Sequence, residues 1–211
     1  MSVEPDANAA PLEQARGLPR LSVEGSRSAA PEAAPLPTKA ATRAANAAFV
    51  WTLAFIALHV YWYLGGRVGF GDQADPLPAS ASAYTWPSSV GGWIVMVVEA
   101  GMWAAGLAVP SALAWPWGRR LPRRMLVAMM WAGGAILLAR GGLGFVDDAL
   151  RFSGLLDGGL TGLSTKDVLD SADPSTYTKL STVAIDSIFF LGGVLFAYAA
   201  RLAGSASRRH R

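Results

Sequence analysis

Four apolar stretches, roughly Ala45 to Leu64, Gly92 to Leu113, Met125 to Phe145 and Thr182 to Leu202, restrict this chain more than any other feature. Each runs for about 20 residues, which at about 1.5 Å per residue crosses a hydrocarbon layer of about 30 Å. Lipid offers no partner to an unpaired peptide group, so a segment of that length crosses as a helix. The expected fold is therefore all-α, a four-transmembrane-helix antiparallel bundle. Composition agrees: 52% of the 211 residues are hydrophobic and 16% are charged, against about 25% charged in an average soluble domain.

Residue usage excludes several kinds of chemistry. There is no cysteine, which removes thiol relays, disulfides and thiolate-held metals. The two histidines, His59 and His210, stand far apart in the chain, so a multi-histidine metal or haem site is not expected either. Neither a metal nor a cofactor enters the reading.

The first 43 residues, with ANAAPLEQ and AAPEAAPLPTKAA, are rich in Ala, Pro and Glu. They lack an apolar face that could offset chain entropy and read as a disordered tail, residues 1–43. The membrane domain is then 44–204, followed by a short basic tail, 205–211. The apolar run begins too late for a cleavable signal peptide, so the first helix reads as an uncleaved anchor. Lys39 and Arg43 precede that helix, Arg119, Arg120, Arg123 and Arg124 crowd the connection after the second, and Arg201, Arg208, Arg209 and Arg211 follow the last. The opposite loops are acidic or mixed, with Asp72, Asp75, Asp157, Asp167, Asp170 and Asp173. The positive-inside rule places both termini in the cytoplasm of a multi-pass protein in the cell membrane. The net charge of +3 is accounted for by these arginines, and no nucleic acid is expected as a partner.

Trp115 and Trp117 mark the cytoplasmic interface, and Tyr61, Trp62, Tyr63, Trp86 and Trp93 the outer one. Gly101 with Ala105, and Gly193 with Ala197, read as surfaces for close helix packing. Pro110 is placed to bend the second helix near its end.

The stretch FIALHVYWYLGGRVGF sets His59 inside an apolar run. Helical rise puts His59, Glu99, Arg140 and Asp186 at a common depth of about 7 to 10 Å below the outer surface. A lone charge inside lipid costs on the order of 2.5 to 3.5 kcal/mol on insertion scales, so these side chains are expected to face inward and meet. The simplest arrangement has Arg140 bridging Glu99 and Asp186, with His59 closing the ring and its protonation acting as a switch. Trp62 stands beside His59, Asp147 lies seven residues after Arg140 on the same face, and Asp147 and Asp148 stand four and three residues before Arg151, a helical pair spacing expected to carry the third helix past the membrane surface. Such a cluster is structural, binds a small molecule or lipid head group, or performs acid–base chemistry on a lipid. Trp62 with Trp86 is a further ligand platform, and the long segment after the third helix reads as a lid or a solvated connector.

LHVYWYLGG at the end of the first helix, an arginine late in the third and DPSTY before the fourth resemble an uncharacterised family of small bacterial, mainly actinobacterial, four-helix integral membrane proteins, a domain of unknown function. The resemblance runs from about Ala45 to the end; this chain departs from it in its long tail and extended third loop. It implies topology and a shared polar site, with no assigned activity. The placing of histidine and carboxylates inside a bundle is also similar in strategy to the emopamil-binding sterol isomerases, though no motif matches.

The absence of native cysteine makes the topology directly testable. Single cysteines at Ser80 and Ser164 should react with a membrane-impermeant thiol reagent in intact cells, and one at Ser26 should not. Labelling at Ser26 without permeabilisation would reverse the orientation.

Overall fold

The computed structural model describes residues 38–72, 89–169 and 171–208, without the side chains of Tyr63 and of residues 206–208. The tail over residues 1–37, with Asp75, Trp86, Asp170 and His210, lies outside the described residues. Five helices follow one another: α1 (Lys39–Tyr63), α2 (Val90–Ala114), α3 (Arg123–Phe152), α4 (Thr165–Leu169) and α5 (Thr176–Arg208), with a 3-10 turn at Pro116–Arg120 between α2 and α3. Helices α1, α2, α3 and α5 are long and apolar enough to cross a membrane. The protein is a multi-pass, all-helical integral membrane protein.

The boundaries depart from the hydropathy reading where polar groups cap or extend a helix. Helix α1 starts at Lys39, because the Thr38 hydroxyl accepts the Ala41 N–H at 3.2 Å and so satisfies one orphan donor. Residues 39–43 are therefore helical rather than part of a tail. Ala41, Ala44, Ala45 and Ala48 are buried there, and alanine carries no helix-propensity penalty. Helix α3 runs past Phe145 to Phe152, its last turns joined by the Arg151–Asp147 pair at 2.9 Å. Helix α5 begins at Thr176 instead of Thr182, since Ser175 Oγ accepts the Thr178 N–H at 3.1 Å. Pro110 is buried inside α2 without ending it.

The packing order is α2 on α1, α1 on α5, and α5 on α3, the last being the most extensive contact. All three pairs are antiparallel. Thr52 on α1 donates to the Gly106 carbonyl on α2 at 3.2 Å, the Phe55 and Phe189 rings of α1 and α5 are 5.2 Å apart, and Arg140 on α3 meets Asp186 on α5 at 2.8 Å. The buried apolar core, including Ala48, Val109, Leu126, Met130, Phe196 and Ala200, lies at the arginine-rich end. Helix α2 is buried only over Val109–Leu113.

Small residues let α3 and α5 approach. A Cβ at Gly141 would stand 2.6 Å from the Phe190 nitrogen and 2.7 Å from the Asp186 carbonyl oxygen, and one at Gly193 would stand 2.6 Å from the Leu138 nitrogen. Gly193 thus packs as its sequence position suggested. Gly101 does not: nothing lies within 4 Å of its Cβ position, and Gly106 instead takes the contact with Thr52. Gly101 falls on the side of α2 turned away from α1.

These contacts separate two adjacent glycines. Gly141→Ala should destabilise the domain by about 1 to 3 kcal/mol, because a methyl is forced against backbone. Gly142→Ala, with nothing within 4 Å, should leave stability unchanged or raise it by up to about 1 kcal/mol. Thermal unfolding in detergent reads both, and equal effects would show that the backbones are not in contact.

Candidate functional site

Polar side chains on one face of α3 recur at Arg140, Asp147, Asp148 and Arg151, offsets of seven, eight and eleven residues that keep them together around the helix. They face Thr182, Ile185 and Asp186 on α5 and Val168 and Leu169 on α4, and with Gly144 enclose a cavity of about 190 Å³. One wall is the Arg140–Asp186 ion pair, with Nη1 to Oδ1 at 2.8 Å. The Asp186 side chain is 7% exposed and that of Arg140 53%. The carboxylate lies directly over Gly144, where any Cβ would collide with it. The guanidinium carbon of Arg140 also sits 4.9 Å from the Phe189 ring centroid, a cation–π contact that shares its charge between ring and carboxylate.

Arg151 forms the other wall and is almost wholly buried. It donates to Asp147 Oδ2 at 2.9 Å, to the Leu163 carbonyl and to Thr161 Oγ1 at 3.3 Å. Asp147 in turn accepts the Leu160 N–H. One charged pair thereby ties the 153–164 segment back onto the end of α3. Beyond it Ser164 and Asp167 cap α4 reciprocally: Ser164 Oγ accepts the Asp167 N–H at 3.2 Å, and Asp167 Oδ2 accepts the Ser164 N–H at 3.0 Å and its hydroxyl at 2.6 Å. The Ser164 hydroxyl and amide together hold the Asp167 carboxyl below the usual carboxylate range. Across the site, Thr178 Oγ1 accepts the Asp72 N–H at 3.0 Å, and Ser175 donates to the Asp72 carboxylate, linking the turn after α1 to the start of α5.

Asp148 completes the cavity. Its charged neighbours are Asp186, Asp147 and Arg151, and it faces the Thr182 hydroxyl. Its Oδ2 is buried without a hydrogen-bond partner among the described residues.

The ring of four does not close. Arg140 and Asp186 meet, but among the described residues Glu99 pairs with neither Arg140 nor His59. The register shows why. Seven residues beyond Thr52 and seven before Gly106 lie His59 and Glu99, and four beyond Phe55 and four before Phe189 lie His59 and Ile185, next to Asp186. The four residues share a level, yet Phe55 and Phe189 occupy the space between them. His59 Nδ1 donates to its own helix, to the Phe55 carbonyl at 2.8 Å. Its ring centroid is 4.2 Å from that of Phe55, 5.0 Å from Trp62 and 5.6 Å from Trp103. Trp62 donates its Nε1–H to the Val68 carbonyl at 2.8 Å and pins the turn after α1. Asp147 pairs with Arg151, four residues on, and not with Arg140. Thr182 joins the site although the sequence reading did not place it there, and Arg151 and Asp148, read from the sequence only as helical partners at the end of α3, line the cavity as well. The stripe from Arg140 to Arg151 was the available signal, once α3 is extended to Phe152.

The family described as "Protein of unknown function (DUF3995)" matches residues 52–196, and the chain belongs to it. The match takes in LHVYWYLGG, Arg140 and DPSTY. No curated protein and no solved structure matches the chain.

A mutant cycle separates the pair from its neighbours at the same level. Arg140→Gln and Asp186→Asn should couple by about 0.5 to 3 kcal/mol, because each single change strands the other charge. Arg140→Gln and Glu99→Gln should be additive within about 0.5 kcal/mol. Thermal unfolding of the singles and doubles measures both, and coupling to Glu99 would restore the larger cluster.

Proposed function

We propose that this member of the family binds a small polar molecule or a lipid head group in the cavity between α3, α4 and α5. One observation carries the reading: a cavity of about 190 Å³ lined by Arg140, Arg151, Asp147, Asp148 and Asp186 at one end of the four-helix domain. Arg140 offers N–H groups beyond the one committed to Asp186, and Asp148 offers a carboxyl with no counter-charge of its own. Recognition is thus suited to a ligand carrying both acceptor and donor groups.

With both termini in the cytoplasm, as the arginine distribution favours, the cavity opens toward the extracytoplasmic side and takes its ligand from there or from the outer leaflet. The His59 and Glu99 level on α1 and α2 then forms a separate wall behind Phe55 and Phe189. Acid–base chemistry on a lipid is the second reading. It rests on Asp148, whose Oδ2 is buried without a hydrogen-bond partner among the described residues, beside the Thr182 hydroxyl.

Screening purified protein against polar metabolites and lipids by thermal shift, with product analysis of each hit, addresses both readings. A ligand at a hundred times its Kd should raise stability by about 2.7 kcal/mol. Val168→Trp, which fills the cavity from α4, should abolish that rise while shifting the unliganded protein by less than about 1.5 kcal/mol. A rise that survives Val168→Trp would place binding elsewhere, and a changed product would favour the enzyme.

A further inference from the structure

The opposite end of the bundle is rich in cations. Lys39, Arg43, Arg119, Arg120, Arg123, Arg124 and Arg201 gather there, while residues 38–54, 104–130 and 196–208 contain no Asp or Glu. These closely placed cations repel one another and attract anions.

Their presentation is rigid. The Trp115 N–H donates to the Ser111 carbonyl at 2.8 Å, that of Gly118 to Trp115 at 3.3 Å and that of Leu121 to Gly118 at 3.0 Å. Gly118 is buried so tightly against the Ala112 backbone that a Cβ has no room. Arg119 and Arg120 end this 3-10 turn, and two residues later α3 opens with Arg123 and Arg124. Arg123 belongs to the scaffold, since it donates to the Ala203 carbonyl on α5 at 3.2 Å. Arg119, Arg120 and Arg124 are exposed. No side chain caps the start of α3 and no acidic residue stands in its first turn, so the positive end of its dipole is open as well.

An apolar track begins at the same place. Leu121, Met125 and Met129 are 37%, 46% and 41% exposed; Met125 and Met129, four residues apart, line up along α3, and Leu121 stands two residues before its start. Trp115 and Trp117 are exposed beside it. A soluble anion has use for the arginines but none for this track. A phospholipid uses both, its phosphate on the cations and an acyl chain along the methionines.

We propose that Arg119, Arg120 and Arg124, at the turn into α3, form a binding site for the phosphate of an anionic phospholipid whose acyl chain lies along Leu121, Met125 and Met129. The guanidinium fork matches phosphate oxygens two at a time, and each exposed cation adds attraction to an anionic head group. The site is independent of the cavity at the far end.

The test uses purified full-length protein, in which the arginines have no further part in setting orientation. Native mass spectrometry of protein released from nanodiscs of mixed phosphatidylcholine and phosphatidylglycerol should show retained phosphatidylglycerol in preference to phosphatidylcholine. The triple variant Arg119→Gln, Arg120→Gln, Arg124→Gln should lower that preference by about a hundredfold, at about fivefold for each charge. Raising salt to 1 M in the unsubstituted protein, which shortens the screening length from about 10 to about 3 Å, should lower it without any variant. Glycerol 3-phosphate, the same phosphate without chains, should compete weakly. Equal retention of the two lipids, a preference unmoved by the triple variant and by salt, or competition by glycerol 3-phosphate as strong as by phosphatidylglycerol itself would each overturn the proposal.

Discussion

The close approach of α3 and α5 governs much of this structure. At Gly141 and Gly193 the two helices come so close that a Cβ would meet main-chain atoms of the other helix. Between helices in lipid there is little hydrophobic gain from association, and dispersion across a tight interface takes over, which only small residues allow. The consequence reaches beyond packing. The same approach lays the Asp186 carboxylate over Gly144 and within 2.8 Å of Arg140. A larger residue at Gly144 would lift Asp186 away from its partner and fill the cavity floor.

Polarity and packing are divided between the two ends of the bundle. Alanines of α1 and α5 bury against one another and against Met130 and Phe196 at the arginine-rich end, giving a dense apolar core. At the other end α2 leaves the core, α3 and α5 overrun the apolar segments, and the space between them is lined by charged side chains and the short helix α4. Arg151 makes that arrangement self-consistent. A buried guanidinium needs acceptors for its donors, and Asp147, Thr161 and the Leu163 carbonyl supply them, so the loop is ordered by the same group whose burial would otherwise be costly.

An aromatic layer keeps the charged residues in two groups. Phe189 takes the guanidinium of Arg140 on one side and the edge of Phe55 on the other, and Phe55 passes the contact on to His59. The polar level that runs through the bundle is therefore interrupted at its centre. His59 satisfies its donor on its own helix and is otherwise enclosed by rings.

Hydropathy and residue spacing determined that four helices cross a membrane, that the positive charges gather at one end, and that His59, Glu99, Arg140 and Asp186 lie at one depth. All of these follow from distance along a helix, which a single sequence states directly at a fixed rise per residue. The extension of α3 past its apolar stretch was legible in the spacing of Asp147 and Arg151, whereas the starts of α1 and α5 were less so, because Thr38 and Ser175 cap them by local hydrogen bonds that hydropathy does not register. Which residues meet at a given depth was decided by tertiary structure alone. Two positions at the same level touch only if their helices are adjacent and turned toward each other. Here glycines drew α3 against α5 and phenylalanines filled the gap toward α1. Arg140 consequently found Asp186, Asp147 found Arg151, and Glu99 and His59 were left on the far side of the rings.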